Sequence, residues 1–109
     1  MPYWIERLDE HYEKLRGEVP YLTRKPSEYL LSRRCYFHAG SEERGLVPAI
    51  DVIGDDCIMY ASDYPRWDSA FPDSVSLLQE RTDLPESSKR KVLGENAARF
   101  YKLPVAATA

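Results

Sequence analysis

The residues best suited to chemistry lie in one stretch, "CIMYASDYPRWD", Cys57 to Asp68. Cys57 to Ala61 read as an apolar strand that Ser62-Asp63 brings to an end. In α/β folds, ligands gather at the C-terminal ends of parallel strands. A carboxylate held there, Asp63, can bind a divalent cation or take a proton from metal-bound water. Ser and Asp also favour turns, so the pair reads as a simple chain reversal too. Pro65 stiffens the segment that follows. Arg66 suits either a substrate carboxylate or an ion pair with Asp68, itself a turn or cap residue. Trp67 and Phe71 suit a pocket wall or an apolar lid. Of the two histidines, His11 lies on a charged helix and reads as solvated, whereas His38 ends a short aromatic run and can face a site mouth. Cys35 and Cys57 lack metal-site spacing and read as small buried hydrophobes.

The elements that position these groups follow from periodicity. Trp4, Ile5, Leu8, Tyr12 and Leu15 fall at helical spacing, predicting a helix over Tyr3 to Arg16. Gly17 and two prolines then interrupt the chain. A short helix is predicted over Pro26 to Arg33 and a strand over Cys35 to Ala39. Ser41 is placed to cap an amphipathic helix, Glu42 and Glu43 suit its N-terminal dipole, and Gly54 closes it. After the second strand, Asp73 or Ser74 caps "SVSLLQER". "LPESSKRKVLGENAARFYKL" reads as two helices broken near Gly94, and residues 104–109 as a disordered tail. Two short apolar strands around a helix form a βαβ unit, which favours parallel pairing. Such strands are normally buried within a larger sheet or barrel, so the sequence reads as one sector of an α/β fold.

The chain has 109 residues, 43% hydrophobic and 30% charged, which suits one small domain. Its net charge of −3 shows no basic stripe, so neither nucleic acid nor an anionic membrane is an expected partner. No apolar run approaches a bilayer span, and the charged start does not resemble a signal peptide. With two cysteines and no disulfide framework, a reduced cytoplasmic setting is the default expectation.

Two segments, "DDCIMYASDYPRWDSAFPDSV" and "SKRKVLGENAARFYKL", resemble the C-terminal end of the amidohydrolase-related, metal-dependent hydrolases, a family that includes aminocarboxymuconate-semialdehyde-decarboxylase-like enzymes. The resemblance is strongest over residues 51–103 and extends more loosely over "YWIERLDEHYEKL", "KPSEY" and "CYF", giving a partial barrel domain over residues 1–103. It implies the C-terminal sector of a (β/α)₈ barrel, with Cys35 to His38 as the seventh strand and Cys57 to Ala61 as the eighth. Asp63 then matches the strand-eight aspartate that binds a metal, zinc by family inference, and guides proton transfer. Asn96 and Arg99 match the terminal helix, Asn96 tying a helix start and Arg99 pairing with an acid.

The family completes its metal site with an H-x-H-type motif on the first strand and histidines on strands five and six, and this chain carries none of those segments. His38 matches no ligand position, and Arg66 stands where the family often has histidine. A barrel of about 250 residues is needed for the whole fold. The expectation is therefore the C-terminal portion of an enzyme that hydrolyses or non-oxidatively decarboxylates a small organic acid or amide, inactive as this chain alone. Met1 directly before "PYWIERLDEHY" reads as the middle of a domain. The alternatives are a self-associating, non-catalytic remnant and a chain that complements a partner carrying the missing ligands. Asp63 is the expected catalytic and metal-binding residue; Arg66, Trp67 and His38 are candidates for substrate binding.

Overall fold

The apolar stripe of the first segment makes helix α1, Pro2–Lys14, and the chain then tightens into a 3₁₀ turn, Arg16–Glu18, which contains the predicted glycine stop, Gly17. The computed structural model describes residues 2–104; the expected tail lies, from Val105 onward, outside the described residues. Helix α2, Pro26–Leu30, starts with proline in its first turn, and the Glu28 carboxylate accepts the Lys25 N–H at 2.8 Å. It ends short of Arg33, whose positive φ of 61° breaks the helical path. Asp9 on α1 accepts the Ser27 N–H at 2.8 Å and so fastens α2 to α1.

Strand β1, Phe37–Ala39, and strand β2, Ile58–Tyr60, pair in parallel as a two-stranded sheet, with Phe37 opposite Ile58 and Ala39 opposite Tyr60. Helix α3, Leu46–Ile53, connects them. Gly54 ends α3 at φ 78°, where a side chain would be strained, and its N–H reaches the Ile50 carbonyl at 2.8 Å. Helices α4, Ser74–Gln79, and α5, Glu86–Arg90, follow. They lead into a π turn, Lys91–Glu95, and helix α6, Asn96–Tyr101. The helical path is thus continuous where a break near Gly94 was expected: the wider turn accommodates a poor helix former without ending the helix.

One face of the sheet is covered. Ala39 and Ile58 are buried there with Leu46, Leu78, Leu84 and Val92, and Val47, Ile50, Ile53, Tyr60 and Leu93 pack around them. Side chains alternate along a strand, so His38 and its register partner Met59 point to the other face, where His38 is exposed. The stripe on α1 is only partly covered: Ile5 and Tyr12 are buried, whereas Trp4, Leu8 and Leu15 are exposed.

The radius of gyration is 16.4 Å, against about 13 Å for a compact chain of this length. The accessible surface is 8026 Å², against roughly 6,200 Å² from the scaling for compact monomers. The excess, roughly 1,800 Å² on one chain, is about twice what each partner contributes to a standard protein–protein interface. An open two-stranded parallel sheet with a half-covered leading helix is consistent with a partial barrel.

Candidate functional site

The cavity at the C-terminal ends of β1 and β2 encloses about 290 Å³. One wall is the loop after β1, Gly40 to Glu43; the other comes from Ala61 to Asp63 and Asp68 to Ala70, with Ser74 at the foot of α4. The ladder extends one step past β2, since the Ala61 N–H donates to the Ala39 carbonyl at 3.1 Å. Two residues later Asp63 adopts φ 56°, a left-handed conformation that Asp tolerates better than most residues. The strand thus delivers a carboxylate into the cavity at a sharp turn. The Asp63 carbonyl accepts the Arg66 N–H at 2.8 Å, and Ser69 Oγ donates to the Ser62 carbonyl at 2.6 Å, which closes the loop on itself.

Arg66 bridges two carboxylates. Its Nη2 lies 2.7 Å from Asp68 Oδ2 and its Nη1 lies 3.4 Å from Asp63 Oδ2. Asp68 is therefore the main anchor. The arginine side chain is 60% exposed and that of Asp63 37%, so both pairs fall in the range of about 0–1 kcal/mol for solvated ion pairs. Arg66 sits behind the two cavity carboxylates and does not line the cavity. Trp67 is 95% exposed and stands apart from the cavity lining. Phe71 packs on Tyr64, with ring centroids 4.5 Å apart. His38 lies in the middle of β1, not at its end, and does not reach this cavity.

The loop after β1 departs from expectation. Ser41 caps no helix, because α3 starts only at Leu46 with Gly45 before it and no side-chain cap. Ser41 is buried, and Glu43 turns back to accept the Gly40 N–H at 3.1 Å. Glu42 and Glu43, read from sequence as dipole-matched helix residues, line the cavity instead. The acid three residues after Gly40 was the available signal, since a carboxylate at that spacing can satisfy a loop amide.

The opposite end of β2 is fully cross-linked. Asn96, with no exposed surface, donates from Nδ2 to the carbonyls of Asp55, at 2.6 Å, and Ile58, at 2.7 Å. It ties the strand's entry, where a tie to a helix start was expected. Among the described residues Arg99 pairs with no acid: its Nη2 donates to the Asp56 carbonyl and to Asn96 Oδ1. Lys91 Nζ bridges Asp55, at 2.8 Å, and Asp56, at 3.0 Å, and Ser88 Oγ donates to Asp55 at 2.7 Å. Burial pushes the Asp55 carboxyl up, but the hydrogen bonds from Lys91 and Ser88 and the Lys91 charge outweigh it and hold the group below its ordinary value. The hydrogen bonds to Asp55 and Asp56 hold Lys91 above its own.

A catalytic zinc takes three protein ligands. Among the described residues, no group of three or more His, Cys, Asp or Glu is placed to hold a metal ion. Asp63 offers one donor, so these residues by themselves do not fit a metal centre. No helix among the described residues is long and apolar enough to cross a membrane.

A family model described as amidohydrolase matches residues 1–103. Among solved structures, the crystal structure of 5-carboxyvanillate decarboxylase from Sphingomonas paucimobilis is 31% identical and superposes with a TM-score of 0.77, covering 95% of this chain and 31% of that one. The crystal structure of an amidohydrolase from Mycobacterium avium subsp. paratuberculosis is 28% identical with a TM-score of 0.66, covering 98% of this chain and 26% of its own. The sequence thus spans less than a third of either structure. No curated protein matches it.

Proposed function

The chain belongs to the amidohydrolase family, and from that premise we propose that it forms the C-terminal sector of a metal-dependent (β/α)₈-barrel enzyme. The reaction class is hydrolysis or non-oxidative decarboxylation of a small organic acid or amide. The observation that carries this reading is Asp63, a carboxylate turned into the cavity at the C-terminal end of a parallel strand, where barrel enzymes place their catalytic groups. Asp63 would be one ligand and proton-handling group of a divalent metal site, with zinc the family's inference and the remaining ligands drawn from outside the 109 residues. With a single donor, the chain alone is inactive.

In the closed barrel the open face of the sheet becomes the interior, so His38 would look inward below the mouth. Arg66 and Trp67 would sit at its rim, the former holding Asp63 and Asp68 in place. The uncovered surface, about twice one partner's share of a standard interface, also supports a second reading, in which a separate chain or a second copy covers the open sheet.

The test is the intact mass and metal content of the polypeptide that carries this sequence, purified from its natural source. A covalent chain several times heavier than 12.6 kDa, with bound divalent metal lost in Asp63→Asn, supports the first reading. A 12.6 kDa chain recovered as an oligomer or with a partner supports the second. A metal-free 12.6 kDa monomer overturns both.

A further inference from the structure

The Gly40–Glu43 wall is a thin partition. Its inner side faces the strand-end cavity, and Ser41 and Glu42 on its outer side face a second depression of about 400 Å³. With α3 starting only at Leu46, the Glu43 carbonyl accepts one long bond from the Leu46 N–H, at 3.3 Å, and the Ser41 carbonyl has no backbone N–H partner among the described residues. Both are taken by one side chain 38 to 40 positions away in the sequence. Arg81 Nη1 donates to the Glu43 carbonyl at 2.8 Å and to the Ser41 carbonyl at 3.2 Å.

The guanidinium is itself fixed. Its Nε and Nη2 donate to the two oxygens of Asp83 at 2.9 and 2.8 Å, a planar fork-to-fork pair. The Arg81 side chain is only 13% exposed. A lysine at this position would supply one point donor and no fork, and so would not hold Asp83 and two carbonyls together.

We propose that Arg81, oriented by Asp83, is the positioning residue that fixes the Gly40–Glu43 wall of the strand-end cavity. The inference rests on the proposed function only in taking that cavity as the working one. The strap joins the loop after β1 to the segment after α4, the helix whose first residue, Ser74, also lines the cavity.

Amide hydrogen exchange of the intact protein tests the strap without relying on activity. In Arg81→Ala, exchange at Gly40 and Glu43 rises at least tenfold, while Phe37 and Ala61 in the β ladder and the amides of α1 keep their rates. Arg81→Lys behaves like Arg81→Ala, and millimolar methylguanidinium restores slow exchange to Arg81→Ala alone. If Arg81→Ala does not fold, Asp83→Asn reads the same loop, with faster exchange at Gly40 and Glu43 expected. Unchanged loop exchange in the variant that is read, or full retention of protection by Arg81→Lys, overturns the proposal. So does acceleration spread equally over the loop and the β ladder.

Discussion

Replacing Asn96 with alanine tests whether the C-terminal helix is the clamp on β2. The side chain has no exposed surface and uses both amide hydrogens, one on the Asp55 carbonyl and one on that of Ile58. Alanine removes both donors. Each buried polar group left unpaired costs about 1–3 kcal/mol, so with two carbonyls the expected loss is about 2–6 kcal/mol. Asn96→Asp is expected to lose at least as much, because a carboxylate facing two carbonyls cannot donate. Urea unfolding followed by circular dichroism measures the loss as a shift in midpoint at constant slope. A cycle with Arg99→Met adds a second reading, since Arg99 donates to the Asn96 carbonyl oxygen and the two losses should not be additive. A loss below about 1 kcal/mol for Asn96→Ala would show that the carbonyls find other partners and would refute the clamp.

Leu78→Ala, at a fully buried position beneath the sheet, is expected to lose about 2–5 kcal/mol in the same assay. Asp63→Asn should leave the urea midpoint nearly unchanged, because asparagine also tolerates positive φ and the pair to Arg66 is solvated. The same substitution should abolish turnover in the complete barrel. Isothermal titration of the 109-residue chain with zinc should show no stoichiometric submicromolar site; such a site, lost in Asp63→Ala, would contradict the single-donor geometry. The Asp55–Lys91 pair sets a pH window. Asp55 is held below its ordinary 3.8, so its contribution is present above that pH and is lost as pH falls through the lower folded value. Lys91 is held above its ordinary 10.5, so its contribution is complete below that pH and is lost as pH rises through the higher folded value. Lys91→Met should flatten both limbs of the urea midpoint plotted against pH.

Local signals carried the parts of the fold that depend on a few neighbouring residues. Gly54 marks the end of α3 because only the chain's own geometry is involved, and Asp63 marks the end of β2 because the apolar run stops there. The loop at Ser41 was misread for the opposite reason. "SEER" carries every local sign of a helix start, but Arg81 takes the carbonyls and Glu43 takes the Gly40 amide. A contact spanning some forty residues leaves no trace in the local pattern. Asn96 was placed correctly on the terminal helix, yet it follows a π turn, and Gly94 within that turn reads locally as a helix break, so the reach of Asn96 to β2 left no local sign. The position of His38 depends on register: one residue along a strand exchanges the covered face for the open one.

The two ends of β2 obey different physics, and the difference supports the role proposed for Asp63. At the entry, Asn96, Lys91, Ser88 and Arg99 satisfy the carbonyls and carboxylates of Asp55 to Ile58, so that end stays fixed. At the exit, Asp63 takes a less favoured conformation and has one long contact with a solvated arginine. A carboxylate kept only to stabilise the turn would be expected to recruit short, shielded partners, as Asp55 does 8 positions earlier. Among the described residues Asp63 instead keeps most of its hydrogen-bonding capacity free while its backbone is held on both sides, by the Ala61 ladder bond before it and the Arg66 N–H after it. Fixed backbone and uncommitted oxygens together are what a ligand-binding carboxylate requires, because the geometry is set in advance and little has to be broken when the ligand arrives. The same comparison predicts opposite responses to mutation: Asp55→Asn should lower stability, and Asp63→Asn should spare it and remove function.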